Sequence, residues 1–385
     1  MITASTVRIP SAEGTRTITL AEPAALQTAF APTSSRIAFA AGHVVPDART
    51  ASAGAATRID WEQTLRVRHR LWELGLGVAE SMDTAQRGMG LGAVAALELG
   101  KRTLTEAAAV GGRVVVGITT DQLPPGPAPL TAIAQAYLEQ LDVIESMGGS
   151  VVLMASRNLA HSAKHAQEYV TVYDTVLQAA TRPVILHWLG AMFDPELEGY
   201  WGSADLDIAV GTVLELIGRH AESVAGIKVS LLDAEREIAL RRRLPDGVRL
   251  FTGDDFNYAE LIAGDSQGHS DALLGAFAAI PRFASAALAR LDAGDEAGFR
   301  SILDPTVPLS RRIFKAPTQY YKAGVAWLSF LSGAQEQFRM LRGFESGRSV
   351  LHLSDVFAEA ISIGLFEDPQ AAADRASRYF TGLGF

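Results

Sequence analysis

The sequence has no cysteine, no long apolar run and no surplus of positive charge, and each absence closes a class of function. Without cysteine in 385 residues there is no disulfide, thiolate metal site, iron–sulfur cluster or cysteine nucleophile. Lys and Arg number 34 against 43 Asp and Glu, and the net charge of −9 offers no basic face to nucleic acid. Charge or glycine breaks every apolar run well short of the roughly 20 residues that span a bilayer. The opening MITASTVRIPSAEG lacks the basic start and apolar core of a signal peptide. No Walker loop occurs, and the glycines at Gly88, Gly90 and Gly92 do not have dinucleotide-binding spacing. These absences predict a soluble, cytoplasmic protein whose partner is a small molecule, with no nucleic acid and no membrane.

Hydrophobic residues make up 48% of the chain, enough for a large core and too many for general disorder. Residues 1–35 read as a β-hairpin, with strands around the Ala-Glu-Gly turn, followed by coil. From residue 36 to 294, short β-rich runs alternate with longer amphipathic stretches. The runs are 37–41, 77–80, 114–118, 151–155, 183–187, 226–229, 248–252 and 272–274. Helical patterns lie between them, among them 61–74, 129–147, 166–180, 208–220 and 233–243. Strand–helix alternation implies parallel strands with right-handed crossovers, and eight units in about 250 residues match a closed (β/α)8 barrel, an α/β fold. The rival, an open doubly wound sheet, normally carries a glycine-rich turn after its first strand, and AAGHVVPD is not one. Residues 51–57 (ASAGAAT) read as a surface loop. Residues 295–385 read as a helical extension, with helices expected at 298–303, 310–314, 320–332, 334–341, 350–363 and 369–381.

A barrel of this kind places its active site at the C-terminal ends of its strands. Those ends carry Gly42 and His43, then Glu80, Ser81 and Asp83, then Thr119, Thr120 and Asp121, then Ser156, Arg157 and Asn158. His187 and Trp188, Lys228 and Ser230, and Asp254 and Asp255 follow, while the strand bodies are Val, Ile, Leu and Ala. Lys228 is the sharpest feature, because its strand, VAGIKV, is otherwise apolar. Desolvation there lowers the pKa of the ammonium, and a lysine so tuned forms Schiff bases with carbonyl substrates. The alternative is a strand-end lysine paired with Asp254 or Glu80, since structural ion pairs also perturb such groups.

The stretch GIKVSLLDAEREIALRRRLPDGVRLFTGDD resembles the sixth and seventh β/α units of the dihydrodipicolinate synthase / N-acetylneuraminate lyase family of class I aldolases. Gly226, Ile227, Lys228, Ser230, Asp233, Gly253, Asp254 and Asp255 carry the match. The segments RPVILHWLGAMFDPELEGYWGS, GDDFNYAELIAGD, PTVPLSRRIF and APTQYYKAGVAWLS are similar to an uncharacterised bacterial branch of that superfamily. The resemblance implies that Lys228 forms a Schiff base with pyruvate or a related 2-oxo acid, and that the chain is a homodimer or homotetramer. The departures are as specific. Where the family has a hydroxyl-rich loop for the substrate carboxylate, this chain has Glu80-Ser81-Met82-Asp83-Thr84, in which Asp83 would repel a carboxylate. The family's tyrosine at the fourth strand end is replaced by Ser156-Arg157-Asn158, and the Tyr-Asn of the fifth strand by His187-Trp188.

The leading expectation is a Schiff-base lyase or aldolase acting on a 2-oxo acid or keto-sugar without a cofactor. In it His187 moves protons, as its ordinary pKa near 6.5 allows, and Asp254 positions Lys228. Arg157 and the Ser81 loop hold an anionic end, Trp188 stacks on the substrate or packs, and Asp121 and Asn257 meet hydroxyls. Asp83, Ser156, Ser230 and His43 complete the candidate lining, and Asp255 is read as a cap for the following helix. Two other readings use the same barrel. In one, His43, Glu80, Asp83, Asp121, His187 and Asp254 converge on a divalent metal, making a metal-dependent aldolase or isomerase. In the other, the barrel binds its small molecule without turnover. His161 and His165 stand one helical turn apart but lack the glutamate of a zinc motif. Tyr320, Tyr321 and Lys322 are expected to pack within the tail or at an interface.

Overall fold

The computed structural model describes residues 5–52 and 58–385. Two antiparallel strands, β1 (Thr6–Ser11) and β2 (Gly14–Thr19), open the chain. Eight parallel strands then close into a barrel: β3 (Ala38–Ala41), β4 (Gly77–Glu80), β5 (Val114–Ile118), β6 (Ser150–Leu153), β7 (Val184–Leu189), β8 (Val224–Ser230), β9 (Arg249–Thr252) and β10 (Asp271–Leu274). Neighbours in sequence are neighbours in the barrel, and β10 pairs back onto β3. The connecting helices are α1 (Trp61–Glu73), α2 (Ala93–Val110), α3 (Leu130–Ser146), α4 (Arg157–Ser162), α5 (Ala166–Ala179), α6 (Leu206–Arg219), α7 (Ala234–Arg241) and α8 (Tyr258–Ala263). After β10 the chain is helical: α9 (Ala276–Ala279), α10 (Pro281–Asp292), α11 (Glu296–Leu303), α12 (Val307–Ile313), α13 (Tyr321–Leu331), α14 (Val350–Ser362) and α15 (Pro369–Gly382). The expected (β/α)8 barrel with an N-terminal hairpin and a helical C-terminus is therefore the fold, with strand ends shifted by a residue or two. Part of the low-complexity stretch, 53–57, lies outside the described residues.

Local chemistry sets the helix starts. Asp60, Ser156, Asp233 and Asp295 each accept the N–H of the residue three positions on, which satisfies a donor the first turn leaves open. In α1 the buried Gln63, Thr64, Val67, Arg68, Leu71 and Trp72 recur at helical spacing, so one face packs on the barrel. Residues of alternate parity fill the barrel: Phe39, Ala41, Ala79, Val115, Val152, Ile185, Phe251 and Leu273 form one interior cluster, while their neighbours face the helices.

The hairpin docks on the far end of the chain. Val7 and Ile9 are buried, Ser354 donates to the Pro10 carbonyl at 2.7 Å, and Arg16 pairs with Asp355 at 2.9 Å. One expected helix is absent. Gly333, at φ +76°, ends the run from α13, and residues 334–340 are irregular up to a 3-10 turn at Leu341–Gly347. Side chains replace the helical ladder there: Gln335 Nε2 donates to the Gln337 carbonyl at 2.7 Å, and Gln337 Nε2 to that of Pro46 at 2.9 Å.

Candidate active site

The inward parity continues upward from the interior cluster to the mouth. On β7 it passes from Ile185 to His187, and on β8 from Gly226 to Lys228, with His187 and Lys228 directly in register. Lys228 is 7% exposed, and among the described residues none hydrogen-bonds or ion-pairs with its ammonium. A Cβ built on Gly253 would stand 2.7 Å from Lys228 Cε and 2.2 Å from Ser230 Oγ, so only glycine leaves room for the lysine stem.

Burial pushes the Lys228 pKa down, and the carboxylates of Asp83 and Asp255 oppose that shift. Burial also pushes Asp255 upward, although its Oδ1 accepts the Ala276 N–H at 2.8 Å. His187 is fully buried, with Nε2 3.3 Å from Ser230 Oγ and Nδ1 without a partner among the described residues. Desolvation and the adjacent Lys228 hold its pKa well below the ordinary histidine range, so it is a neutral imidazole at neutral pH.

A tyrosine reaches this centre from the C-terminal helices. The Tyr321 hydroxyl, in the first turn of α13, lies 2.8 Å from Thr84 Oγ1 in the 3-10 turn Asp83–Ala85. Burial, then Asp83 and Asp255, raise the Tyr321 pKa well above its usual value. The ring stacks on Phe314 at 4.3 Å, and a Cβ on Gly275 would be 3.0 Å from both rings, so the small residue just after β10 admits them. Tyr321 packs as expected, and its hydroxyl also meets that of Thr84.

A cavity of about 180 Å³, open to solvent, is lined by Asp83, Arg87, Asp121, Arg157, Asp194 and Glu196 among others. Asp121 takes both arms of Arg87, at 2.9 and 2.7 Å. Arg157 pairs with Asp194 at 2.6 Å and Glu196 at 3.5 Å, not with Asp83, Asp121 or Glu168.

Other expected site residues are engaged elsewhere. Trp188 has the outward parity and packs among the helices, 2% exposed. Ser81, held at φ +55°, donates its hydroxyl to the Ala96 carbonyl at 2.7 Å and its N–H to Glu80 at 2.6 Å. Ser156 caps α4 and lies 2.6 Å from Thr120 Oγ1. Asn257 donates to Asp254 at 2.8 Å and lines a surface groove beside Arg311. His43 bonds Gln335 at 2.6 Å and lines a separate cavity with Leu71 and Leu328. Glu80 takes both arms of the buried Arg68, at 2.8 and 2.9 Å, behind the barrel wall. Asp254 folds its carboxylate onto the N–H groups of Phe256 and Asn257, at 2.8 and 3.0 Å. Of the two aspartates, Asp255 is the one whose field, together with that of Asp83, reaches Lys228. The sequence held the signal: Phe251, Gly253 and Asp255 share one parity.

Among the described residues no group of three or more His, Asp or Glu side chains is placed to hold a metal ion. His161 and His165 turn to different carboxylates, Glu196 at 3.5 Å and Glu168 at 4.0 Å. Among the described residues no helix is long and apolar enough to cross a membrane.

A family model described as "Protein of unknown function (DUF993)" matches residues 7–385. No curated protein matches the chain. Among solved structures, YagE, a prophage protein of the dihydrodipicolinic acid synthase family from E. coli K12 in complex with pyruvate, aligns with a TM-score of 0.65 and 13% identity over 86% of this chain and 99% of its own. Dihydrodipicolinate synthase from Oceanobacillus iheyensis aligns with a TM-score of 0.61 and 16% identity, over 84% and 95%. The enzyme from Aquifex aeolicus gives 0.61 and 14%, over 86% and 98%. At these identities the likeness is one of fold, and it agrees with the family resemblance of the sequence.

Proposed function

The chain belongs to the DUF993 family, and from the geometry of its barrel mouth we propose a lyase or aldolase that forms a Schiff base through Lys228 and acts on a 2-oxo acid or keto-sugar. One observation carries this reading: a lysine buried at a strand end without a hydrogen-bond or ion-pair partner among the described residues, its stem lodged against Gly253. A structural lysine would have a carboxylate against it. The neighbour YagE was solved with pyruvate, a carbonyl compound, which suits the same chemistry in this fold.

The neutral Lys228 amine attacks the substrate carbonyl carbon. The carbonyl oxygen takes up protons and leaves as water, giving an iminium. A base takes the proton of the hydroxyl on the departing carbon, which leaves as a carbonyl compound, and the electron pair of the breaking C–C bond flows into the iminium to give an enamine; the enamine is then protonated on carbon and water returns the lysine, while synthesis runs the steps in reverse. Asp255, kept toward its neutral acid form by burial, supplies a proton to the departing oxygen. The Thr84–Tyr321 hydroxyl pair exchanges the proton on the enamine carbon. His187, held neutral, orients Ser230 in place of the proton-moving role expected from sequence.

Borohydride reduction after incubation with 2-oxo acids and keto-sugars tests the reading. An adduct in the intact mass that is lost in Lys228→Ala supports it. No adduct from either class overturns it, in favour of a barrel that binds without turnover.

A further inference from the structure

Breaking the C–C bond needs a base for the hydroxyl on the departing carbon, and most ionisable groups at the mouth are committed elsewhere. Glu80 takes both arms of Arg68, and Asp121 both arms of Arg87. Asp194 and Glu196 share the Nε of Arg157. Asp254 folds onto the N–H groups of its own turn. Asp255 accepts the Ala276 N–H and is kept toward its acid form by burial. His187 is neutral, but the lowered pKa that keeps it so makes it a weak base. The Tyr321 phenol is held protonated. Lys322 is buried, its Nζ donates to the Gln319 carbonyl at 3.0 Å, and it does not line the cavity.

Asp83 is different. It opens the 3-10 turn Asp83–Ala85, and its backbone carbonyl, not its side chain, accepts the Gln86 N–H that closes the turn. Its side chain is half-buried and, among the described residues, receives no hydrogen bond and makes no ion pair. Withdrawing a carboxylate part-way from water costs free energy, and no structural bond offsets that cost here. The side chain faces two ways. It lines the cavity of about 180 Å³, where Arg157 presents Nη1 and Nη2 with no acceptor among the described residues. Its charge also reaches Lys228, where it is the larger of the two that oppose desolvation, and Tyr321, whose hydroxyl meets that of the next residue, Thr84, at 2.8 Å. A carboxylate with its lone pairs open, set between a nucleophile and a cavity, is placed to accept a proton from a substrate hydroxyl.

We propose that Asp83 is the general base of the C–C bond step: it takes the proton of the hydroxyl on the departing carbon in cleavage, returns it in synthesis, and faces the cavity in which the departing fragment lies. This rests on the Schiff-base reading. In cleavage the O–H bond breaks toward Asp83, and its electron pair forms the new carbonyl. The C–C pair becomes the enamine double bond, and the iminium π pair withdraws onto nitrogen, so the step needs no oxidant or reductant.

Two β-hydroxy ketones probe it: 4-hydroxy-2-oxopentanoate, which splits into pyruvate and acetaldehyde, and xylulose, which splits into dihydroxyacetone and glycolaldehyde. Aldehyde release is measured in the wild type and in the near-isosteric Asp83→Asn. Borohydride trapping and deuterium exchange of pyruvate and dihydroxyacetone are measured beside it. Asp83→Asn is expected to lose about 10²–10⁴-fold in aldehyde release, the usual contribution of a positioned base, while trapping and exchange stay within about tenfold. Release within about tenfold of the wild type overturns the proposal. So does a loss of exchange as deep as the loss of release, because Asp83 would then only shape the mouth. A wild type that traps ketones yet cleaves neither probe overturns it as well. A wild type that forms no adduct with any of these compounds overturns the Schiff-base reading, and the base with it.

Discussion

The hydroxyl of Tyr321 stands 2.8 Å from that of Thr84, although 237 residues separate them in the chain. A helix outside the barrel thereby supplies a phenol to the mouth, where the strand ends themselves present none. Burial beside Asp83 and Asp255 keeps that phenol protonated, so it acts as a donor that Thr84 can relay. Tyr321→Phe is expected to form the trapped adduct at a near-normal rate. It should slow deuterium exchange at the carbon next to the ketone by about 10²–10⁴-fold, the usual contribution of a positioned acid or base. Proton NMR of the ketone in D2O reads both the wild type and the variant. Unchanged exchange would remove the hydroxyl pair from the mechanism.

Gly253 sets where the Lys228 amine can be. Its missing side chain is the space occupied by Lys228 Cε and Ser230 Oγ, at 2.7 and 2.2 Å from an ideal Cβ. A contact that short forces one neighbour to move, and the Val229 carbonyl at 2.9 Å blocks the backbone from yielding. Gly253→Ala is expected to slow trapping at least about tenfold, since a displacement near 1 Å at a reacting atom costs on the order of 10² in rate. Far-UV circular dichroism should stay that of the wild type. Trapping at the wild-type rate would show that the lysine does not depend on this packing.

The barrel was legible in the sequence because each strand is a short apolar run bounded by turns, and Lys228 was legible because it interrupts one. What escaped depended on parity and on distance along the chain. His187 and Trp188 are adjacent, and a β-strand sends one inward and the other outward; the pattern of the neighbouring Ile185 identifies the inward one. The same count through Gly253 separates Asp255 from Asp254. No local pattern points from α13 to Thr84, because that contact is made only when the tail packs over Gly275. The supposed helix at 334–341 failed for the opposite reason: its helical composition was overridden by glutamine side chains bonding to nearby backbone.

Glu237 makes stability depend on pH in a direction opposite to an ordinary paired carboxylate. It is buried, accepts from Ser270 at 2.8 Å and Thr252 at 3.0 Å, and burial raises its pKa to about 8. The folded state therefore holds a proton that the unfolded state gives up near pH 4.5. Its stabilising contribution is full below that value and is lost as pH rises through about 8. Glu237→Gln keeps the shape without the titration. Thermal melts between pH 5 and 9 should show the wild-type midpoint falling relative to that of the variant as pH rises, by about 1.4 kcal/mol of stability per unit crossed at most. Parallel curves would refute the assignment.

Lys228 gives the converse linkage, and it ties function to instability. Burial lowers its folded pKa below the 10.5 of an exposed lysine, with Asp83 and Asp255 only partly restoring it. Below the folded value the protein must bury an ammonium, and this cost disappears as pH climbs toward 10.5, where the unfolded lysine also loses its proton. Replacing the amine by an apolar chain of similar length removes the cost, so Lys228→Met is expected to melt higher than the wild type at pH 7. That advantage should shrink as pH rises from the folded pKa of Lys228 to 10.5. The same lowered pKa makes the neutral amine available to a carbonyl near neutrality, so trapping in the wild type should rise with pH and level off below the range of a surface lysine. Asp83→Asn, which takes away the larger opposing charge, should move that rise to lower pH. A variant Lys228→Met that melts below the wild type at pH 7, together with a trapping rise centred near 10.5, would mean that the ammonium is stabilised where it lies. Lys228 would then be an ordinary cation, not an amine tuned by burial for attack near neutrality.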